Sequence, residues 1–139
     1  MASERQRTPR QSSELIATGV KVVDASALAA LLFGEPEAEA IVERLDGGRL
    51  VAPALLDFEL ANVCLTKIRR QPKQREALRA AFRLAHRLRV ETVAVDHVAM
   101  LELAESTGLT AYDASYLWLT RALGAELVTL DRKLAAAAR

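Results

Sequence analysis

Strand-like and helix-like segments alternate along most of the chain, and this alternation constrains the fold more than any other feature. Short apolar segments, mostly rich in β-branched residues, predict strands at 20–23, 49–52, 91–95 and 126–130. Strands that alternate with helices form parallel sheets, because a parallel pair needs a long crossover connection. The sequence therefore predicts a three-layer α/β/α sandwich with a small parallel sheet of four to five strands.

The segments between these strands predict helices at 25–33, 37–45, 53–68, 73–88, 97–107 and 112–123, with a short helix after Asp131. Pro53 suits the first position of a helix, and Gly108 and Gly124 are typical of residues that end one. Residues 1–18 are polar and without periodicity, which predicts a flexible N-terminal extension. One domain is expected over 19–139.

Composition excludes several classes of protein. A chain of 139 residues with 51% apolar residues has enough material for one folded core, so disorder is not its main state. No apolar run approaches the ~18 residues of a spanning helix, and the polar residues before the first strand are not expected to act as a secretory signal. The single cysteine, Cys64, excludes a disulfide framework. We expect a cytoplasmic protein without a membrane partner.

The helix predicted at 53–68 carries an unusual polar stripe. Glu59, Asn62 and Thr66 fall within a narrow sector of the helical wheel, and most of the remaining circumference is apolar. A helix that is apolar nearly all round is normally buried, so Glu59 needs a cation, a network of donors or a wet cleft. A simple solvated stripe remains the alternative.

Acidic residues recur where a predicted strand gives way to a helix. Asp24, Asp96 and Asp131 each occupy such a position, at the edge of the sheet where open α/β sheets bind ligands. The same position suits an ordinary helix N-cap, and Thr110 with Asp113 fits a capping box. Taken singly, each acid is explained as a cap.

Four segments in order resemble the PIN-domain family, and more narrowly the VapC-type toxins of bacterial toxin–antitoxin pairs. They are VVDASAL at 22–28, the stretch from Pro53 through ELAN at 59–62, LTAYDA at 109–114 and LVTLD at 127–131. The resemblance covers residues 20 to about 138. It implies catalytic and metal-binding roles for Asp24, Glu59, Asp113 and Asp131, with support from Ser26, Asn62 and Thr129.

The resemblance also implies an activity. It points to a Mg²⁺-dependent endoribonuclease, with Mn²⁺ as a substitute, that leaves 5′-phosphate and 3′-hydroxyl ends. It implies an RNA substrate, a cognate antitoxin protein and a homodimer. The residue types agree, because clustered carboxylates repel one another unless they are protonated or bridged by a cation, and Mg²⁺ prefers oxygen ligands.

Two other functions stay open from the sequence. The first is a catalytically inactive PIN-like module for protein interaction, in which the acids serve only as caps. The second is a phospho-acceptor receiver domain, for which Lys133 lies too close to Asp131 to be the expected phosphate partner.

Charge is unevenly distributed, although the whole chain has a net charge of only +1. Residues 67–90 contain nine Lys or Arg and one acid, Glu76, which gives this segment a charge of +8. Its arginines recur every four residues and predict a ridge that contacts RNA phosphates, an acidic antitoxin segment, or only solvent. The ridge consists of Arg75, Arg79, Arg83 and Arg87.

The other conspicuous side chains have ordinary structural explanations. Tyr112, Tyr116 and Trp118 lie at helical spacing and are predicted to be part of the core. Cys64 is predicted to be a packed residue. His86 and His97 are isolated in sequence and are expected at the surface.

Overall fold

Four parallel strands form one sheet in the computed structural model, which describes residues 19–139. The strands lie in the order β3-β2-β1-β4, and Val22 of β1 is paired with Val51 on one side and Leu127 on the other. The predicted parallel sheet is confirmed, although its last two strands end two residues earlier than predicted. The strands are β1 (Val20–Val23), β2 (Arg49–Pro53), β3 (Glu91–Val93) and β4 (Glu126–Val128).

Seven α-helices accompany the sheet within the described residues. The ends of the fifth and sixth agree with the sequence signals, since Gly108 and Gly124 adopt left-handed φ angles of 74° and 60°. The helices are α1 (Ala25–Leu32), α2 (Ala38–Leu45), α3 (Leu55–Arg70), α4 (Arg75–Arg83), α5 (His97–Thr107), α6 (Ala111–Leu123) and α7 (Arg132–Ala138).

Both faces of the sheet are covered by helices. Successive side chains of a strand point to opposite faces, and the adjacent Val22 and Val23 are both fully buried. Val51 and Ala52 on the neighbouring strand are buried in the same way. An apolar strand with no solvent-facing side is typical of a parallel sheet between two helical layers, which confirms the three-layer arrangement.

The start of α3 differs from the prediction. Pro53 is the last residue of β2, where it is buried and aligned with Val93 of β3, and the helix begins at Leu55. Strand pairing therefore outweighs the preference of proline for the first turn of a helix. Ala54 occupies the N-cap position without a side-chain hydrogen bond, so no sequence signal marks the true boundary.

The prediction that α3 is buried nearly all round is also wrong. Only Leu56, Leu60 and Cys64 are buried, and their spacing of four residues marks a single face of the helix. Phe58 is 79% exposed. The helix packs on the sheet through one stripe, and its composition alone does not show how narrow that stripe is.

The basic segment is less regular than the continuous helix predicted at 73–88. It consists of a 3₁₀ turn at Pro72–Gln74, then α4, then a second 3₁₀ stretch at Leu84–Leu88. Only three arginines of the predicted ridge, Arg75, Arg79 and Arg83, therefore lie on α4, and Arg87 lies in the 3₁₀ stretch that follows. All four side chains are exposed.

Two other predictions concern the ends of the chain and membranes. The flexible extension predicted at residues 1–18 lies outside the described residues. Within residues 19–139 no helix is both long and apolar enough to cross a membrane.

Candidate active site

Asp24 lies at the centre of the candidate site, directly after β1 at the carboxyl edge of the sheet. It is the N-cap of α1, where its Oδ1 accepts a hydrogen bond from the backbone N–H of Ala27 at 3.0 Å. Asp24 is only 5% exposed. The prediction that Asp24 caps a helix is confirmed. Capping alone does not explain why this carboxylate is buried, since an exposed aspartate can cap a helix equally well.

Two hydroxyl groups hold the Asp24 carboxylate from either side. Ser26 Oγ donates to Oδ1 at 2.7 Å, and Thr129 Oγ1 donates to Oδ2 at 2.5 Å. The same hydroxyls accept hydrogen bonds from the backbone N–H groups of Leu130 and Asp131, at 2.9 and 3.0 Å. Ser26 and Thr129 therefore connect Asp24 to the backbone that follows β4.

Asp131 is brought to the same edge by the strand order. It follows β4, the neighbour of β1, and caps α7 by accepting from the backbone N–H of Leu134 at 2.9 Å. Asp96 also caps a helix, through Ala99 N at 3.0 Å, but it follows β3 at the opposite side of the sheet. Adjacent strands are about 4.8 Å apart, so two strand spacings separate the end of β3 from that of β1.

Glu59 reaches the site from α3, and Tyr116 of α6 holds it. The Tyr116 hydroxyl donates to Glu59 Oε1 at 2.7 Å across 57 residues of sequence. Tyr116 itself is 1% exposed. The prediction of Tyr116 as a core residue is correct for its ring but misses the hydrogen bond to Glu59. The one sequence signal for this contact is that Tyr116 lies one helical turn after Asp113 on the same helix.

Asp113 lies in the first turn of α6, which Thr110 caps by accepting from the Asp113 backbone N–H at 3.1 Å. Burial raises the pKa of its carboxyl, and the nearby charges of Asp131 and Asp24 raise it further. Lys133 opposes this shift through its positive charge. Lys133 also donates to the backbone carbonyl of Gly108 at 2.8 Å.

Repulsion between neighbouring carboxylates also contributes to the raised pKa values of Asp24 and Glu59. Burial raises the pKa of Asp24, and the charge of Asp131 adds to this, whereas the donors at Ser26, Thr129 and Ala27 oppose it. Burial also raises the pKa of Glu59, with contributions from Asp113 and Asp24, and the Tyr116 hydroxyl opposes the shift. Asp24 and Asp113 thus lie near enough to feel the charge of Asp131, and Glu59 lies near enough to feel the charges of Asp24 and Asp113.

The remaining predicted residues fall into two groups. Asn62 is exposed on α3, one turn after Glu59, and no hydrogen bond of its side chain occurs within the described part of the chain. His86 and His97 are exposed and Cys64 is buried, as predicted. The prediction of Tyr112 as a core residue is wrong: it lies in the first turn of α6 and is 65% exposed.

The donor chemistry of the site fits a hard divalent cation. Its acidic groups are four carboxylates, and the repulsion between them would be relieved by a positive ion. Within residues 19–139, however, no three Asp, Glu, His or Cys side chains converge closely enough to form a complete metal-binding group. Mg²⁺ is compatible with this spacing, because it keeps several waters and takes one or two carboxylates directly.

The chain is similar in sequence to proteins named as VapC ribonucleases. Ribonuclease VapC3 from Pyrobaculum aerophilum is 33% identical over 119 residues, which cover 82% of this chain and 91% of the relative. Ribonuclease VapC9 from Mycobacterium tuberculosis is 35% identical over 118 residues, which cover 81% of this chain and 87% of the relative.

The fold also matches a solved structure, PAE2754 from Pyrobaculum aerophilum. The TM-score is 0.71 at 26% sequence identity, with 87% of this chain and 81% of that chain covered. The PIN domain family model matches residues 21–139, which include every acid of the candidate site. The chain belongs to the PIN domain family.

Proposed function

We propose that this protein is a metal-dependent endoribonuclease and the toxin of a type II toxin–antitoxin pair. The observation that carries the proposal is the electrostatic cluster of four carboxylates at one edge of a PIN-domain sheet. The relatives named as VapC ribonucleases support RNA as the substrate. The catalytic residues are Asp24, Glu59, Asp113 and Asp131.

We assign Mg²⁺, or Mn²⁺ in its place, as the cofactor. Asp24, Glu59, Asp113 and Asp131 would hold it, some of them through water. When bound, such an ion lowers the pKa of a water molecule and neutralises charge that develops on a phosphodiester. Hydrolysis adds water to phosphorus and breaks the bond to the 3′ oxygen, which leaves a 5′-phosphate and a 3′-hydroxyl.

The chain's own residues prepare the site for this chemistry. Ser26 and Thr129 keep the Asp24 carboxylate in one orientation, because each hydroxyl donates to a different oxygen. Both hydroxyls also accept from backbone N–H groups, so their own orientation is restricted. Because the carboxylate is already oriented, the reaction does not have to include the free-energy cost of ordering it. Asn62 lies one turn from Glu59, where it is available to contact RNA.

An RNA cleavage assay with a matched control tests the proposal. Asp24→Asn should abolish cleavage, whereas Asp96→Asn changes another helix-capping aspartate after a strand and should leave cleavage unchanged. Mg²⁺ or Mn²⁺ should support activity and a chelator should remove it. No cleavage of any RNA by the wild type, with metal present, would favour a catalytically inactive interaction module.

The ridge on α4 is our candidate surface for the RNA backbone. Its arginines are exposed, and none of them forms an ion pair with another described residue. Arginine binds phosphate through two parallel hydrogen bonds, which suits a sequence-independent contact. We propose that Arg75, Arg79 and Arg83 position RNA, and that Arg87 contributes from the adjoining 3₁₀ stretch. Binding of an acidic antitoxin segment is the competing outcome.

A homodimer and a cognate antitoxin complete the proposal. Val98 and Leu101 lie one turn apart on α5 and are both largely exposed, which is unfavourable for an isolated molecule in water. We propose that α5 contributes to the contact between two copies. Light scattering should give twice the chain mass for the wild type and the chain mass for Leu101→Glu. We also propose a cytoplasmic location.

A further inference from the structure

Glu59 is held differently from the other acids of the candidate site. Asp24 accepts three hydrogen bonds from two hydroxyls and a backbone N–H, and Asp131 accepts one from the backbone of its own helix. The Glu59 side chain accepts a single hydrogen bond within the described residues, from the Tyr116 hydroxyl. Its position therefore depends on one donor from another helix.

This dependence matters because a glutamate side chain is long. Three rotatable bonds separate its carboxylate from the backbone, so a half-buried Glu59 has several rotamers available unless a contact selects one. The Tyr116 ring is fixed by its burial, and its hydroxyl lies 2.7 Å from Oε1. A buried hydroxyl also needs a partner of its own, so the pairing is favourable for both side chains.

The contact also connects two acids of the site. Tyr116 lies one helical turn after Asp113 on α6, and the charges of Asp113 and Asp24 both act on Glu59. Oε2 of Glu59 accepts no hydrogen bond from any described residue. One carboxylate oxygen is thus occupied by the protein, and the other is available to a ligand.

We propose that Tyr116 is a positioning residue, whose buried hydroxyl holds Glu59 beside Asp24 and Asp113 and leaves Oε2 available to the divalent cation. The part that concerns the cation rests on the proposed function. The part that concerns the position of Glu59 is a property of the metal-free protein and is measured separately.

The first measurement uses Tyr116→Phe without metal. This variant keeps the ring and removes only the hydroxyl, so the fold should persist. Carbon-13 NMR of the Glu59 side chain should show one preferred conformer in the wild type and averaging among rotamers in the variant. Tyr112→Phe is the matched control, because it deletes the hydroxyl of an exposed tyrosine on the same helix, and it should leave the Glu59 signal unchanged.

The second measurement is the affinity for Mn²⁺, determined by calorimetry. Loss of a residue that orients a metal ligand typically weakens binding roughly 10-fold or more. We expect such a loss for Tyr116→Phe and no change for Tyr112→Phe. In a Glu59→Ala background, Tyr116→Phe should have no further effect, because the group it positions is gone.

The outcomes distinguish this proposal from the proposed function. Failure of the wild type to bind Mn²⁺ would overturn metal dependence, and the NMR result would still decide whether Tyr116 positions Glu59. An unchanged Glu59 conformer in Tyr116→Phe would overturn the positioning role, whatever the metal affinity. An equal loss of Mn²⁺ affinity in the wild-type and Glu59→Ala backgrounds would assign Tyr116 a general structural role instead.

Discussion

Replacing Thr129 with Val tests how much the hydroxyl beside Asp24 contributes to stability. The side chain is buried, and its Oγ1 donates to Asp24 Oδ2 and accepts from Asp131 N. A hydrogen bond to a charged group contributes about 1.5–3 kcal/mol, and the abandoned backbone N–H adds about 1 kcal/mol or more. Valine has nearly the same shape, so we expect Thr129→Val to lower the free energy of unfolding by about 2.5–4 kcal/mol in the metal-free protein.

The loss of stability in Thr129→Val should depend on pH, because the hydrogen bond from Thr129 favours the ionised form of Asp24. Burial raises the pKa of Asp24, and the Thr129 hydroxyl lowers it. Removing the hydroxyl raises this pKa further, so the variant loses most relative to wild type where Asp24 is ionised. The pKa of Asp24 in the unfolded chain is the same in both proteins and cancels from the comparison. The difference should therefore shrink as pH falls through the two raised folded pKa values, and it should be smallest below that of the wild type.

Urea denaturation at several pH values measures both effects. Thr129→Ser is the control, because it keeps the hydroxyl and loses one buried methyl group, at about 1 kcal/mol. In an Asp24→Asn background the cost of Thr129→Val should be smaller by roughly 1 kcal/mol, since the lost hydrogen bond then has a neutral acceptor while the abandoned Asp131 N–H still adds its penalty. A Thr129→Val protein within 0.5 kcal/mol of wild type at neutral pH would refute the argument.

Three other perturbations probe separate parts of the molecule. Asp113→Asn should stabilise the metal-free protein as pH rises, because the folded pKa of Asp113 is raised and its ionised form opposes folding; thermal melts that show no gain above pH 7 would contradict this. Asp96→Ala should lower stability by about 1 kcal/mol through loss of a cap, while cleavage stays at the wild-type rate. In Arg79→Ala/Arg83→Ala, the slope of log affinity against log salt for single-stranded RNA should flatten by roughly 0.7 for each lost contact, and an unchanged slope would remove α4 from the RNA-binding surface.

Local sequence signals were sufficient for most elements of the fold. The β-branched residues before Asp24 predict β1 because a strand buried on both faces is mostly apolar, and Lys21 is the one polar residue in this strand. Gly108 and Gly124 mark helix ends because their left-handed conformation disfavours other residues. Such signals act within a few residues, so they are readable without a tertiary structure.

The errors occur where contacts distant in sequence decide the outcome. Pro53 belongs to a strand because β3, nearly forty residues later, pairs with β2. Tyr112 and Tyr116 have the same spacing signal, but only Tyr116 faces the sheet and Glu59. The resemblance to PIN domains indicates the four acids, whereas the donor that holds Glu59 is visible only in three dimensions.

The two hydroxyls beside Asp24 have a consequence for the dynamics of the chain after β4. The backbone N–H groups of Leu130 and Asp131 lie beyond the end of the strand, yet they donate to Ser26 and Thr129. Amide protons with such partners exchange with solvent only when the partner is released. Deuterium uptake at these two consecutive amides therefore measures how often the hydroxyls of Ser26 and Thr129 release the chain after β4, and the measurement needs neither RNA nor metal.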